Sequence, residues 1–157
     1  MGIFDKLKQA ANFVTGGGAK VRIQTAEGVL DGTQPISIII HADIKDSPIT
    51  IEKVYLRIRV REYIYLQSAD IYMEDGTFVQ KPIHQENVYY RHEQEVSGPQ
   101  ELAANESYSW ATEIVLPEDM QGSYEGHWCK HEIAVEAALD AKGNDPDSGW
   151  QALRVMK

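Results

Sequence analysis

The sequence predicts an all-β sandwich of two packed sheets, preceded by one short amphipathic helix. Three observations carry that reading. Apolar and polar residues alternate along segment after segment, the period of strands that bury one face. Turn-forming clusters separate those segments: Asp31-Gly32, Asp46-Ser47-Pro48, Asp75-Gly76 and Asn144-Asp145-Pro146. Helical spacing is confined to the stretch from Gly2 to Val14.

In that stretch Ile3, Phe4, Leu7, Ala10, Ala11 and Val14 recur at the helical interval, and Gly16-Gly17-Gly18 stops them. The chain therefore divides into an arm with a glycine tether, residues 1–18, and a sandwich, residues 19–157. Val21 and Ile23 open the first strand. Val29-Leu30-Asp31-Gly32 runs into a turn, and the β-branched run from Ile36 to Ala42 is the next strand. The clearest strand extends from about Thr50 to Leu66. Val54, Leu56, Ile58 and Val60 share one face of it; Lys53, Tyr55, Arg57, Arg59 and Arg61 share the other. Glu62 falls on the apolar phase, which predicts a bulge or bend there.

Farther on, Ile71-Tyr72-Met73 and Thr77-Phe78-Val79 flank Glu74-Asp75-Gly76 as a hairpin, with Asp-Gly supplying positive φ angles. Strands follow from Val88 to Val96, from Tyr108 to Leu116 (ended by Pro117), from His131 to Leu139 and from Trp150 to Met156. The loop from Lys142 to Ser148 precedes the last of these. About eight or nine short strands without intervening helices make a sandwich.

The totals fit one domain. At 157 residues there is mass for a single sizeable core, and 43% hydrophobic residues exclude disorder of the whole chain. A net charge of −9 repels phosphate backbones, so nucleic acid is not an expected partner. One cysteine, Cys129, permits no intrachain disulfide and suits a reducing compartment. Asp5, Lys6 and Lys8 interrupt any secretory pattern, and no apolar run reaches the ~18 residues of a membrane span. The expected location is cytoplasmic.

The order of these pieces resembles the arrestin-like superfamily, and within it the bacterial sporulation-control proteins. The resemblance lies in the Gly2-Ile3-Phe4-Asp5-Lys6-Leu7 arm that leads through glycines into Ala19-Lys20-Val21. It continues in the long strand Ile51 to Val60. Leu116-Pro117, Gly122-Ser123-Tyr124-Glu125-Gly126 and Ile133 to Asp140 complete it. It implies an arrestin-like, immunoglobulin-like sandwich serving as a binding and trafficking adaptor without catalytic residues. Such proteins generally carry two sandwiches, whereas 157 residues hold one, so activation by movement between domains is not expected unless a homodimer supplies the second half.

Several constellations bear on function. Lys53, Arg57, Arg59 and Arg61 form a basic stripe whose guanidinium forks suit the carboxylates of an acidic protein segment. The same stripe is equally a solvated sheet face paired with Glu93, Glu95, Glu132 or Glu136. Phe4 and Leu7 give the arm an apolar stripe for docking on a partner. These six residues, Lys53, Arg57, Arg59, Arg61, Phe4 and Leu7, are the candidate contacts. His127, Cys129 and His131 alternate along the expected strand. Adjacent members of the three reach one metal ion, but all three do not. Cys129 and His131 fall at the core or its edge. Asp140, Asn144, Asp145 and Asp147 crowd one loop with oxygen ligands that calcium favours, without the spacing of an EF-hand. Tyr63, Tyr65, Tyr89 and Tyr90 offer aromatic faces for a sugar. No nucleophile elbow, phosphate loop or zinc-protease motif occurs. The expectation is a non-catalytic protein-interaction module with no cofactor. The alternatives are a carbohydrate-binding sandwich and a metal-dependent enzyme using His127 and His131.

Overall fold

A computed structural model describes residues 17–157. The predicted N-terminal helix, with Phe4 and Leu7, lies outside the described residues. Within them the chain is all β: β1 (Ala19–Thr25), β2 (Leu30–Asp31), β3 (Ile36–Ile44), β4 (Ile49–Tyr72), β5 (Phe78–Ser97), β6 (Gln100–Leu102), β7 (Ser107–Ile114), β8 (Tyr124–Glu125), β9 (Cys129–Ala141), β10 (Gln151–Leu153) and β11 (Val155–Met156). The smaller main sheet has the order β1-β3-β7. The larger has the order β10-β9-β4-β5, with β6 beside the start of β4 and β8 beside the start of β9. β11 and β2 form a short parallel pair.

Alternation decides what each sheet buries. Ile38, Ile40 and Ala42 of β3 are fully enclosed, as are Leu56 and Val60 of β4 and Ile133, Val135, Ala137 and Leu139 of β9. These residues from both sheets, with Val21, Ile23 and Ile114, belong to one apolar cluster. Each fully buried Leu, Ile or Val contributes roughly 1.5–3 kcal/mol of transfer free energy, so the inter-sheet core is the main source of stability. Gln94 of β5 ties the layers together at one side, donating to Thr112 Oγ1 and the Glu113 carbonyl of β7.

The long strand and its hairpin exceed the sequence expectation. β4 continues six residues past Leu66 to Tyr72, and β5 begins at Phe78 rather than Val88. Register shifts between Val60 and Arg61, and between Leu66 and Ala69, explain why. Each bulge inserts a residue and resets the inside–outside phase, so continuous strands read as interrupted ones. β9 pairs with β4 no farther than Ile64. The Tyr65 amide still donates to the Trp128 carbonyl; beyond it, β4 and β5 continue as a two-stranded ribbon. In its connection only Gly76 takes a positive φ, 84°. Asp75 instead accepts hydrogen bonds from the Thr77 amide and hydroxyl.

Two further expectations are corrected. β9 starts at Cys129, which is exposed; His127 lies in the bend before it, so the three side chains do not share a strand face. Tyr55, on the polar face of β4, is 3% exposed. Residues 145–150 fold back along β9 and cover it: the Leu139 amide donates to the Pro146 carbonyl, and the Ser148 amide to the Ala137 carbonyl.

Candidate binding face

The outer face of β4 is built in rows, because antiparallel register sets each of its side chains between one from β5 and one from β9. In the Arg57 row, Glu93 and Glu136 are the register partners. Arg57 approaches Glu136 at 3.3 Å and Glu93 at 3.7 Å, and donates to the Tyr55 hydroxyl. Lys53 bonds Glu93 at 2.8 Å. In the Arg61 row, Arg61 meets Glu132 of β9 and, at 3.0 Å, Glu86 of β5. Lys130 adds a second cation to Glu132 at 3.2 Å. Lys53, Arg57 and Arg61 thus have carboxylate partners within the sheet.

Arg59 is different. Its register partners are Arg91 on β5 and Ala134 on β9, so neither side brings a carboxylate. Its guanidinium lies 4.1 Å from the ring of Trp150, a cation–π contact. The Nε–H groups of Arg57 and Arg59 are shielded from solvent and make no hydrogen bond within the protein, although Arg57 Nε faces the Glu93 carboxylate at 3.7 Å. Arg57, Arg59, Arg91, Glu93 and Trp150 border an open cavity of about 420 Å3. The sequence placed Arg59 on this face. It missed Arg91 and Trp150, whose positions depend on the bulged register of β5 and on the fold-back of residues 145–150.

Electrostatics follow the rows. Burial raises the Glu132 carboxyl, but hydrogen bonds from Arg61 and Lys130 outweigh it and hold the group below the usual carboxylate range. Burial also raises Glu136, and there, with the Asp147 charge, it prevails over the opposing charges of Arg57 and Arg59. The Tyr55 hydroxyl is pushed up to about 12, chiefly by burial.

The remaining candidates are engaged internally. His131 is buried, its Nδ1 donating to the Gly122 carbonyl at 2.9 Å while Nε2 accepts from the Tyr89 hydroxyl. Among the described residues no group of three His, Cys, Asp or Glu side chains is placed to hold a metal ion. Asp145 accepts from the Ala141 amide and the Tyr55 hydroxyl, and Asp147 from the Gly149 amide. These carboxylates stitch the loop to the sheet. Of the tyrosines, Tyr90 packs against the core and Tyr63 sits beneath Arg61, whereas Tyr65 is exposed and contacts His84. A larger cavity of about 800 Å3 lies between β8 and β10. Its Ser123 is bonded to Val155 and its His131 to Gly122, which leaves it less polar capacity than its size suggests.

Neither a protein-family model nor a curated protein matches the sequence. Among solved structures, the sporulation control protein Spo0M from Bacillus subtilis aligns with a TM-score of 0.62 and 18% sequence identity, over 90% of this chain. This chain has the fold of half of Spo0M. The alignment covers 50% of the Spo0M chain, and at this identity the likeness to Spo0M concerns the fold alone. Among the described residues, no helix is long and apolar enough to cross a membrane.

Proposed function

We propose that the chain is a non-catalytic, arrestin-like sandwich that acts in the cytoplasm as a protein-interaction module. It engages a partner through the outer face of the large sheet and the ribbon that extends it. The observation that supports this most is the ribbon itself. Residues 66–72 and 78–83 form a ladder with each other, lie outside the apolar cluster, and expose Tyr72 and Phe78. A two-stranded ribbon is marginal in water by itself, and its apolar side chains on both strands gain stability by contacting another molecule. The likeness to Spo0M supports the arrestin-like assignment.

The test is to join Leu66 to Ile83 through an Asn-Gly turn, which removes residues 67–82. These two residues already face each other across the ladder, and a two-residue turn suits them. Because the removed segment contributes nothing to the core, the melting temperature should stay within a few degrees. Proteins captured from native cytosol by the intact chain should be lost. Retention of the same proteins by the shortened chain would contradict the proposal.

A further inference from the structure

A sheet that can neutralise an arginine ordinarily does so, since like charges directly opposite one another on a ladder repel. This sheet does so at Arg57 and Arg61, each of which meets carboxylates from both neighbouring strands. Between them, at Arg59, it places a second arginine opposite and an alanine on the other side. That arrangement stands in a chain whose net charge is −9 and which has 24 acidic side chains. Two more observations concern the same spot. Trp150 lies against the Arg59 guanidinium on one side, and Arg59, Arg91 and Trp150 border one open cavity. A cationic opening of this kind is the complement of an oxyanion.

The adjoining backbone indicates how that oxyanion arrives. β5 ends the order of the larger sheet, so one side of its backbone is unpaired by any strand of that sheet. An extended segment added there places alternate side chains on the outer face, beside Arg91 and toward Arg59. We infer that the cavity between Arg59, Arg91 and Trp150 is a carboxylate site for an acidic peptide laid along the free edge of β5. This rests on the interaction role proposed above and names the chemistry of the partner. Glutamate at every second position satisfies it: the peptide backbone pairs with β5 while one carboxylate bridges the two guanidinium groups. Glu93 at the rim disfavours a second anion in the same opening.

The experiment is a fluorescence-anisotropy titration of a short labelled peptide of alternating Glu and Thr. The intact chain should bind it saturably, with affinity falling as salt rises. Arg59→Gln and Arg91→Gln should each weaken binding at least tenfold. Arg22→Gln, which removes a cation paired with Asp43 on the other sheet, should leave it unchanged. The chain with residues 67–82 removed keeps Arg59, Arg91 and Trp150 and should still bind the peptide. Its binding separates failure of this site from failure of the ribbon. No saturable binding by the intact chain, or equal binding by Arg59→Gln and Arg91→Gln, would overturn the inference.

Discussion

Glu132 and Glu136 stand four positions apart on β9, on the same face, with side chains 12% and 11% exposed, yet the sheet treats them oppositely. Glu132 receives hydrogen bonds from two cations and is held below its ordinary range; Glu136 is left mainly desolvated and is raised. A carboxyl that is lowered on folding stabilises the protein above its unfolded-state value, and that stability is lost as pH falls through the folded one. A raised carboxyl acts in reverse, so protonating Glu136 stabilises the fold. Glu132→Gln should therefore cost about 1–2 kcal/mol at neutral pH in denaturant unfolding. Glu136→Gln should be nearly neutral at neutral pH and should abolish the gain in stability that protonating Glu136 gives as pH falls through its raised value. The sequence showed the alternation and named Glu93, Glu132 and Glu136 as cross-strand partners. It did not show that Arg59 faces Arg91, because two compensating irregularities, between Leu66 and Ala69 and between Val60 and Arg61, set which residue of β5 stands opposite.

At the scale of elements, the sequence made the strands legible wherever one face is buried and the other wet. β4 up to Val60 carries that signal clearly, whereas β9 is buried on both faces from Ile133 to Leu139. The ribbon does not carry it, since both its faces meet solvent and its bulges break the period. The brief β2 and β8 were not legible as strands for another reason, since two residues hold no periodicity, and the expected strand from Trp150 to Met156 divides into β10 and β11, whose pairing depends on tertiary contact. β11 shows the consequence. A Cβ on Gly122 would lie 2.7 Å from the Val155 carbonyl oxygen, a backbone atom that cannot turn aside. The close approach also lets the Ser123 amide donate to that carbonyl at 2.9 Å. Gly122→Ala should force β11 outward and lower stability by about 1–3 kcal/mol in thermal unfolding. The change should leave the Arg59 cavity, which has no residue from this region, intact in peptide binding.

Across the whole molecule, one apolar cluster spans both main sheets, so the described domain should unfold as a single cooperative unit. Leu56→Ala, at the centre of β4 and fully buried, should cost about 2–5 kcal/mol without changing that cooperativity. The core thus carries stability, and the outer face of the large sheet divides its tasks. The rows of Arg57 and Arg61 pair their charges within the sheet, and the row of Arg59, with Arg91 and Ala134 as its cross-strand neighbours, is the one proposed to meet a partner. That division is tested most directly by comparing the melting temperatures of Arg61→Gln and Arg91→Gln in the same buffer. Arg61→Gln removes a cation from two carboxylates and should melt roughly 2–8 °C lower. Arg91→Gln relieves a like-charge contact and should melt at the temperature of the intact chain or slightly above it. A fall for Arg91→Gln as large as that for Arg61→Gln would mean that both rows serve the fold, and would contradict the account.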